Sequence, residues 1–160
     1  MKKVLITGIT GFVGSHLADL LSEKDDVELY GLKRYHLSRE DNISHLVNKV
    51  TFFDCDLLDS KEIISVIKKI KPDIIFHMAS QSFVSPSWGH PSLYMSANYN
   101  MTVNLFEACL INNINPLIHI PGSGEEYGEI DDSELPIHED TILRPVNPYA
   151  VTKIAQDFIA

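Results

Sequence analysis

The amino-acid sequence predicts an α/β fold in which helices cover both faces of a doubly wound parallel sheet. Short apolar runs alternate with helical patterns along the 160 residues, as is typical of parallel strands joined by crossover helices. A glycine-rich turn joins the first predicted strand to the first predicted helix. A hydrophobic content of 44% is that of an ordinary globular protein long enough to bury one core. We therefore expect one domain over residues 1–160.

Three glycines follow the first predicted strand. The apolar run Val4–Ile6 ends at Thr7, and Gly8, Gly11 and Gly14 come next at a spacing of three residues. Backbone without a Cβ can approach a pyrophosphate closely, and the N-terminus of the next helix can bind the anion. The pattern therefore predicts a dinucleotide site. A turn that only needs flexible backbone is the alternative.

The first helical pattern begins at Phe12. Val13, Leu17, Leu20 and Leu21 recur at helical spacing. Residues at this spacing share one side of a helix, so we expect these four side chains to form one apolar face.

Two cations follow the second predicted strand, Val27–Leu32. They are Lys33 and Arg34; no carboxylate stands beside them, and Glu28 lies too early in the strand to act as the acid that NAD binders usually have at this point. In dinucleotide-binding folds an acidic residue here binds the 2′-hydroxyl of NAD, whereas a basic residue accommodates the 2′-phosphate of NADP. The pair therefore favours NADP over NAD. Two solvated surface charges are the alternative.

The remaining predicted elements continue the alternation of strands and helices. In chain order they are a short helix over Asn42–Val47, a strand over Val50–Phe53, a helix from Asp59 to Ile70, a strand over Ile74–His77, a helix from Ser92 to Asn112, a strand over Leu117–Ile120 and a helix from Pro148 to the C-terminus. Asp59 with Glu62 resembles a capping box, and Asn147 followed by Pro148 is a strong helix start.

Composition excludes several classes of function. A net charge of -9 argues against general nucleic-acid binding. No apolar run approaches the ~20 residues of a membrane span, and the first residues do not resemble a signal peptide. Cys55 and Cys109 are isolated, so we expect buried free thiols and a cytoplasmic protein. We interpret His77 and His119 as core or strand-end histidines, and the histidine spacing predicts no metal site.

Further residues are expected at the carboxyl edge of the sheet, where doubly wound folds bind their ligands. Asp56 and Leu57 follow the third strand and are expected beside an adenine. Met78, Ala79 and Ser80 follow the fourth strand, where small residues suit the close approach of a cofactor.

Catalytic chemistry is predicted on the last helix. Tyr149 and Lys153 are four residues apart and therefore lie on one face. A lysine ammonium near a phenol stabilises the phenolate, which can then take a proton from a sugar hydroxyl. Ser123 follows the fifth strand and could hydrogen-bond the same oxygen. It lies near the start of a long connection, Pro121–Asn147, of the kind that is usually functional or disordered.

These motifs resemble those of the extended short-chain dehydrogenase/reductase family of nucleotide-sugar enzymes, over essentially the whole chain. The resemblance implies a Rossmann-type fold, a catalytic triad of Ser123, Tyr149 and Lys153, and Asn98 beneath the site. It also implies a homodimer or homotetramer in the full-length form. The residues expected to contact the cofactor are Gly8, Thr10, Gly11, Phe12, Val13, Gly14, Lys33, Arg34, Asp56, Leu57, Met78, Ala79, Ser80, Asn98, Tyr149 and Lys153.

Two segments resemble the GDP-mannose branch of this family, namely Gln81–Trp88 and Gly122–Gly128. Lys33 with Arg34 resembles the dehydratases of the branch, whereas the segment around Ser123 resembles its reductases. The resemblance implies a GDP-mannose 4,6-dehydratase. A reductase of the 4-keto-6-deoxy derivative, or another nucleotide-sugar epimerase or dehydratase, is the alternative.

In a dehydratase of this kind Tyr149 deprotonates the C4 hydroxyl while hydride passes to NADP⁺. A carboxylate at Glu125 then removes the C5 proton, water leaves from C6, and hydride returns to C6. The alternative for Glu125 is a solvated loop acid. A reductase would use Tyr149 as an acid, consume NADPH and require nothing of Glu125.

The sequence departs from the family pattern in three places. Gly124 stands where Ser or Thr is common, and Met101 stands where glycine is usual. The chain ends at Ala160, whereas family members continue into a C-terminal part that binds the nucleotide-sugar. We therefore expect an NADP-binding domain that carries the triad without the substrate domain and need not be active alone. A non-catalytic NADP-binding module is the alternative class.

Overall fold

The structure is a computed structural model that describes residues 1–35 and 37–160. His36, one of the histidines considered as metal ligands, lies outside the described residues. The chain divides into two compact units. The first, here called the sheet unit, comprises Met1–Ser80 and Met101–Pro121, and the second, the helical unit, comprises Gln81–Asn100 and Gly122–Ala160.

The sheet unit is built on five parallel strands in the order β3-β2-β1-β4-β5. They are β1 (Lys2–Thr7), β2 (Val27–Lys33), β3 (Thr51–Asp54), β4 (Ile74–His77) and β5 (Leu117–His119). The central strands are buried on both faces, which is why their sequences are apolar runs rather than alternating patterns. The predicted parallel sheet is confirmed, with strand ends that differ by one or two residues.

The helices follow the predicted alternation, except that the longest predicted helix is divided. In chain order they are α1 (Phe12–Ser22), α2 (Ser60–Ile70), α3 (Pro91–Tyr94), α4 (Met101–Ile111) and α5 (Pro148–Ile159), with 3₁₀-helices at Ser44–Leu46, Ser85–Trp88, Gly124–Glu126 and Asp132–Glu134 and a π-helix at Met95–Asn100. The short helix predicted over Asn42–Val47 is a single 3₁₀ turn.

Each face of the sheet carries its own core. Leu5 of β1 points to the face covered by α2 and α4, where it joins Ile67 and Leu105. Its neighbours Val4 and Ile6 point to the opposite face, because successive residues of a strand alternate between faces. Helices on both faces make the sheet doubly wound, as the sequence predicts.

The apolar face predicted for α1 is wrong in two of its four residues. Val13 and Leu20 are 61% and 57% exposed. Leu17 and Leu21 are partly buried against the core, and the side chain fully buried between them is the small Ala18. The buried residues of α1 are all small, namely Gly14, Ser15 and Ala18, and at Gly14 even an added Cβ would lie 2.4 Å from the carbonyl oxygen of Gly8.

The long helix predicted from Ser92 to Asn112 is helical over residues 91–111, but it is not α-helical throughout. It is divided into α3, the π-helix Met95–Asn100 and α4. A π-helical segment contains an extra residue in its turn, and such segments are frequent at functional sites. Periodicity alone did not reveal the interruption because the apolar residues continue on more than one side of the pattern.

Both cysteines are buried free thiols, as predicted. Burial raises the pKa of the Cys55 thiol to about 12 and that of Cys109 to about 11. The reactive thiolate is therefore disfavoured at both positions. Among residues 1–35 and 37–160, no helix combines the length and the apolarity that crossing a bilayer requires.

The start of α2 generates a test of the fold. The Asp59 carboxylate accepts hydrogen bonds from the N–H groups of Lys61 and Glu62 at 2.9 and 3.1 Å. The Glu62 carboxylate instead accepts from the N–H of Asp56, so the predicted capping box is only half formed. Asp59→Ala should lower the free energy of unfolding by about 1 kcal/mol in urea titrations.

Asp59→Asn is the matched control, because its amide oxygen can accept the same two bonds and asparagine is an equally good N-cap. It should unfold at nearly the same urea concentration as the unchanged chain. Equal stability of the alanine and asparagine variants would contradict the capping role.

Candidate active site

The sheet unit has a crevice where its strand order reverses. β1 lies between β2 and β4, so the crossovers on its two sides run in opposite directions. Doubly wound folds bind ligands outside the carboxyl ends of the strands at such a switch point. The last residues of the two strands, Thr7 and His77, are paired in register, and the segments after them, starting at Gly8 and Met78, form the edges of the crevice.

Two glycines of the turn are required by close backbone contacts. Gly8 has a φ of +64°, and a Cβ on it would lie 2.7 Å from the backbone nitrogen of Ala79. A Cβ on Gly14 would lie 2.4 Å from the carbonyl oxygen of Gly8. The turn therefore lies directly against the end of β4 and the start of α1.

The N-terminus of α1 is suited to an anion. Its N-cap is Gly11, and among the described residues no side chain caps the helix there. The first N–H groups of a helix have no partner within the helix, and the helix dipole favours negative charge at this end. A phosphate that approached the glycine turn would therefore find both hydrogen-bond donors and a favourable field.

A buried hydrogen-bond network fixes the two strand ends. The Thr7 hydroxyl lies 2.8 Å from His77 Nδ1 and accepts a bond from the N–H of Ala79 at 3.2 Å. On the other side of the ring, His77 Nε2 lies 3.1 Å from the hydroxyl of Thr102 on α4. His77 is therefore a hydrogen-bonded core histidine, as predicted, and His119 ends β5.

The two cations at the end of β2, Lys33 and Arg34, have different surroundings. The Lys33 ammonium pairs with the Glu40 carboxylate and lies 4.0 Å from Asp54 Oδ1. The hydrogen bond to Glu40 raises the pKa of Lys33. Arg34 is exposed, and within the described part of the chain it makes no ion pair. Of the two predicted phosphate ligands, only Arg34 is thus without a competing carboxylate.

The residues expected beside an adenine also differ from each other. Leu57 is buried in the core next to α2, and its carbonyl oxygen accepts a bond from the Asn104 amide at 2.8 Å. Asp56 is half-buried, and its carboxylate accepts from the N–H of Leu58. Asp56 is therefore the more accessible of the two at the sheet edge.

The helical unit holds the predicted tyrosine and lysine on α5. Tyr149 is buried, and its ring packs edge-on against that of Tyr94 with centroids 6.5 Å apart. Lys153 is 4% exposed, and its ammonium donates to the Gln156 side-chain oxygen at 3.0 Å. Burial lowers the pKa of Lys153. The tyrosine and the lysine thus lie on the buried face of one helix, as predicted.

Ser123 begins the 3₁₀-helix Gly124–Glu126. Its hydroxyl oxygen accepts a bond from the N–H of Glu125 at 3.3 Å, and its own N–H donates to the Glu126 carboxylate at 2.7 Å. This is a capping box. Sequence reasoning missed Glu126, although the pattern Ser-x-x-Glu from Ser123 to Glu126 was the signal that could have found it.

The Glu125 side chain is exposed, but its carboxylate has a hydrogen-bond partner. It accepts a hydrogen bond from the Asn147 side-chain amide at 2.7 Å. The oxygen of the same amide accepts from the N–H of Ala150 at 2.8 Å and caps α5. One buried asparagine therefore links the candidate base Glu125 to the helix that carries Tyr149.

Asn98 lies in the π-helix and is fully buried. Its side chain accepts from the N–H of Gln81 at 2.7 Å and donates to the carbonyl of Gln81 and the hydroxyl of Thr152. Thr152 in turn donates to the carbonyl of Tyr149 at 2.7 Å. Asn98 is thus linked to the main chain of Tyr149 on α5 through the hydroxyl of Thr152.

Comparison with known families agrees with this arrangement. The model of GDP-mannose 4,6-dehydratases matches residues 5–160. The chain belongs to the GDP-mannose 4,6-dehydratase family. The family resemblance predicted from the glycine turn, Ser123, Tyr149 and Lys153 is therefore confirmed.

Two curated relatives of this family member catalyse different reactions by name. The GDP-mannose 4,6-dehydratase of Yersinia enterocolitica is 37% identical over an alignment 164 positions long, which covers 96% of this chain and 43% of the relative. The UDP-glucose 4-epimerase of Mycolicibacterium smegmatis is 32% identical over 155 residues, which cover 96% of this chain and 48% of the relative. The chain spans less than half the length of both relatives, and similarity alone does not choose between their reactions.

A solved structure confirms the predicted Rossmann-type fold. The crystal structure of UDP-glucose 4-epimerase from Brucella ovis in complex with NAD has a TM-score of 0.87 at 26% identity, covering 99% of this chain and 46% of that chain. The fold is therefore shared across dehydratases and epimerases of nucleotide sugars.

Gly14 provides a test of the glycine turn in this family member. In Gly14→Ala the new Cβ would overlap the Gly8 carbonyl, a backbone atom that cannot simply rotate away. We expect the free energy of unfolding to fall by about 1–3 kcal/mol in urea titrations, as for other overpacked sites.

Gly89→Ala is the control, since a Cβ there would have its nearest neighbour at 3.8 Å and the residue has an ordinary φ of -78°. It should unfold close to the unchanged chain. A Gly14→Ala variant as stable as Gly89→Ala would show that the turn does not need its glycines for packing.

Proposed function

We propose that this chain carries the cofactor-binding and catalytic residues of an NADP-dependent GDP-mannose 4,6-dehydratase. The observation that carries the proposal is the Asn147 amide, which holds the Glu125 carboxylate at 2.7 Å and caps the helix of Tyr149. Loss of water across C5 and C6 needs a base for the C5 proton in addition to the base that acts at the C4 hydroxyl. Ketone reduction and 4-epimerisation need no such second base.

The residues of the sheet unit fit a dinucleotide. The close contact of Gly8 with Ala79 and the uncapped start of α1 suit a pyrophosphate. The Brucella ovis epimerase was solved with NAD, which supports a nicotinamide dinucleotide in this family. NADP⁺, when bound, supplies the acceptor that takes hydride from C4 and returns it to C6.

The residues of the helical unit perform the proton transfers in this proposal. Tyr149 takes the proton of the C4 hydroxyl, and the Lys153 ammonium stabilises its phenolate. The Ser123 hydroxyl donates a hydrogen bond to the C4 oxygen as it becomes a ketone. Glu125 then removes the C5 proton, which the ketone has made acidic, and transfers it to the C6 hydroxyl, which leaves as water. After hydride has returned to C6, the proton held by Tyr149 is returned to C5, so that both side chains recover their starting states.

A 4-epimerase is the second candidate, favoured by the 32% identity to the Mycolicibacterium smegmatis enzyme. It would use the same tyrosine, lysine and serine but leave the sugar isomeric with its substrate. A 4-keto sugar reductase would also use Tyr149, as an acid, and would consume NADPH. The three reactions therefore differ in the mass of the product and in the fate of the cofactor.

The test is mass spectrometry of GDP-mannose incubated with the protein and substoichiometric NADP⁺. Both this chain and longer proteins that contain it should be assayed, because the relatives are more than twice its length. We expect the loss of one water over many turnovers per NADP⁺. Tyr149→Phe should retain NADP⁺ binding and lose at least about 100-fold in turnover, because the proton acceptor is removed.

An isomeric product would favour the epimerase over the dehydratase. Oxidation of NADPH with the 4-keto sugar would favour the reductase. Full turnover of Tyr149→Phe would show that Tyr149 is not the proton acceptor or donor in any of the three candidate reactions. Cofactor binding without turnover in every protein tested would favour a binding module.

Cofactor choice is tested separately at Arg34. Because Arg34 has no competing carboxylate among the described residues, we propose that it binds the 2′-phosphate. Arg34→Gln should raise the Kd for NADP⁺ roughly tenfold or more, the value of one charge-assisted hydrogen bond. The Kd for NAD⁺ should be unchanged. Both constants can be measured by calorimetry.

Lys33→Gln is the matched control. Lys33 is paired with Glu40 and Asp54, so its replacement should weaken NADP⁺ binding less than that of Arg34. Equal Kd values for NADP⁺ and NAD⁺ in the unchanged chain would contradict the assignment of both cations.

A further inference from the structure

The helical unit contains a buried carboxylate that the proposed reaction does not use. Glu126 is 6% exposed, whereas the adjacent Glu125 is exposed. Acidic side chains are almost never buried unless they are paired or hydrogen-bonded, because desolvation of the charge is costly. The position of Glu126 therefore requires a physical explanation.

The hydrogen bonds of Glu126 enclose Ser123. The Glu126 carboxylate accepts from the Ser123 N–H at 2.7 Å, and the Glu126 N–H donates to the Ser123 carbonyl at 3.1 Å. The Glu126 carbonyl accepts from the N–H of Arg144 at 3.0 Å, which ties this turn to the far end of the long connection. Ser123 is thus held at both its main-chain groups by one residue.

The same carboxylate is buried on the turn that packs against the helix of Lys153, which is itself buried, although among the described residues the two groups form no ion pair within 4.0 Å. The 3₁₀-helix of Glu126 packs against α5, and burial of the lysine ammonium lowers its pKa while the charge of Glu126 raises it. The other charged group of α5 that acts on Glu126 is Asp157. The remaining elements packed on α5, residues 85–100, contribute tyrosines and one histidine but no Asp, Glu, Lys or Arg.

We propose that Glu126 is a positioning residue for the reaction proposed above, which orients Ser123 through its main-chain N–H and supplies the counter-charge of the buried Lys153 ammonium. The inference rests on the proposed function. Two adjacent acids thereby have separate roles: the exposed Glu125 is directed to the substrate, and the buried Glu126 holds the serine and the lysine that act with Tyr149.

Three substitutions separate the two roles of Glu126. Glu126→Gln keeps an oxygen for the Ser123 N–H and removes the charge. Glu126→Asp keeps the charge and shortens the reach to Ser123. Glu126→Met, of similar volume, removes both. Glu129→Gln is the control for loss of an acid from an exposed position of the same connection.

The first measurement is the pH titration of Lys153 by NMR of chain labelled at its lysine side chains, which requires no activity. In Glu126→Gln and Glu126→Met the ammonium should lose its proton at lower pH than in the unchanged chain, because the carboxylate that favours the charged form is gone. In Glu126→Asp and Glu129→Gln it should titrate as before. Unchanged titration in both Glu126→Gln and Glu126→Met would overturn the role as counter-charge.

The second measurement uses whichever protein shows turnover in the product assay. Glu126→Gln should lower kcat roughly 10–100-fold with little change in KM, and the alkaline limb of its pH profile should move to lower pH with the Lys153 titration. A purely structural cap would leave both unchanged in Glu126→Gln, since its amide oxygen still accepts from Ser123, and that result would refute the proposal. If no protein dehydrates GDP-mannose, the Lys153 titration still decides whether Glu126 is its counter-charge.

Discussion

The close approach of Gly8 to Ala79 is the contact on which the sheet unit depends. It is possible only because Gly8 has no side chain and adopts a positive φ, and because the buried Thr7–His77 hydrogen bond holds the ends of β1 and β4 together. The same absence of a side chain at Gly14 allows α1 to start immediately after the turn. The close approach of the strand ends and the position of the helix N-terminus therefore both depend on glycines that have no side chain.

In the helical unit, the comparable constraint is that buried polar groups need hydrogen-bond partners. Asn98, Asn147 and Glu126 are buried, and each forms hydrogen bonds that fix a segment bearing a candidate catalytic residue. Buried polar groups are costly unless satisfied, so such a network has few alternative arrangements. A site that must hold a phenol and an ammonium in register benefits from that restriction.

The parallel sheet and the order of its strands and helices could be predicted from the sequence, because apolar runs and helical spacing are local signals. The glycine turn and the Tyr149–Lys153 pair could each be located for the same reason. The sequence could not predict the surroundings of a side chain that are set by residues elsewhere in the fold. The pairing of Lys33 with Glu40 and the exposure of Val13 depend on tertiary contacts. Glu126 was overlooked for a different reason: its capping pattern was local and visible, but in this acid-rich connection a second carboxylate beside the candidate base Glu125 did not stand out as structural.

The family assignment leaves the reaction open for a chemical reason. Dehydratases and epimerases both begin by oxidising the sugar, a step for which a tyrosine, a lysine, a serine and a dinucleotide suffice. The fate of the oxidised sugar then depends on whether a further base can reach the C5 proton. In this chain the candidate carboxylate is Glu125, and within residues 1–35 and 37–160 its hydrogen-bond donor is the Asn147 amide. Because that asparagine also caps α5, the geometry that orients Glu125 is coupled to the geometry that orients Tyr149. In the proposed dehydratase, one asparagine thus serves both the base that acts at C5 and the helix that carries the base acting at C4.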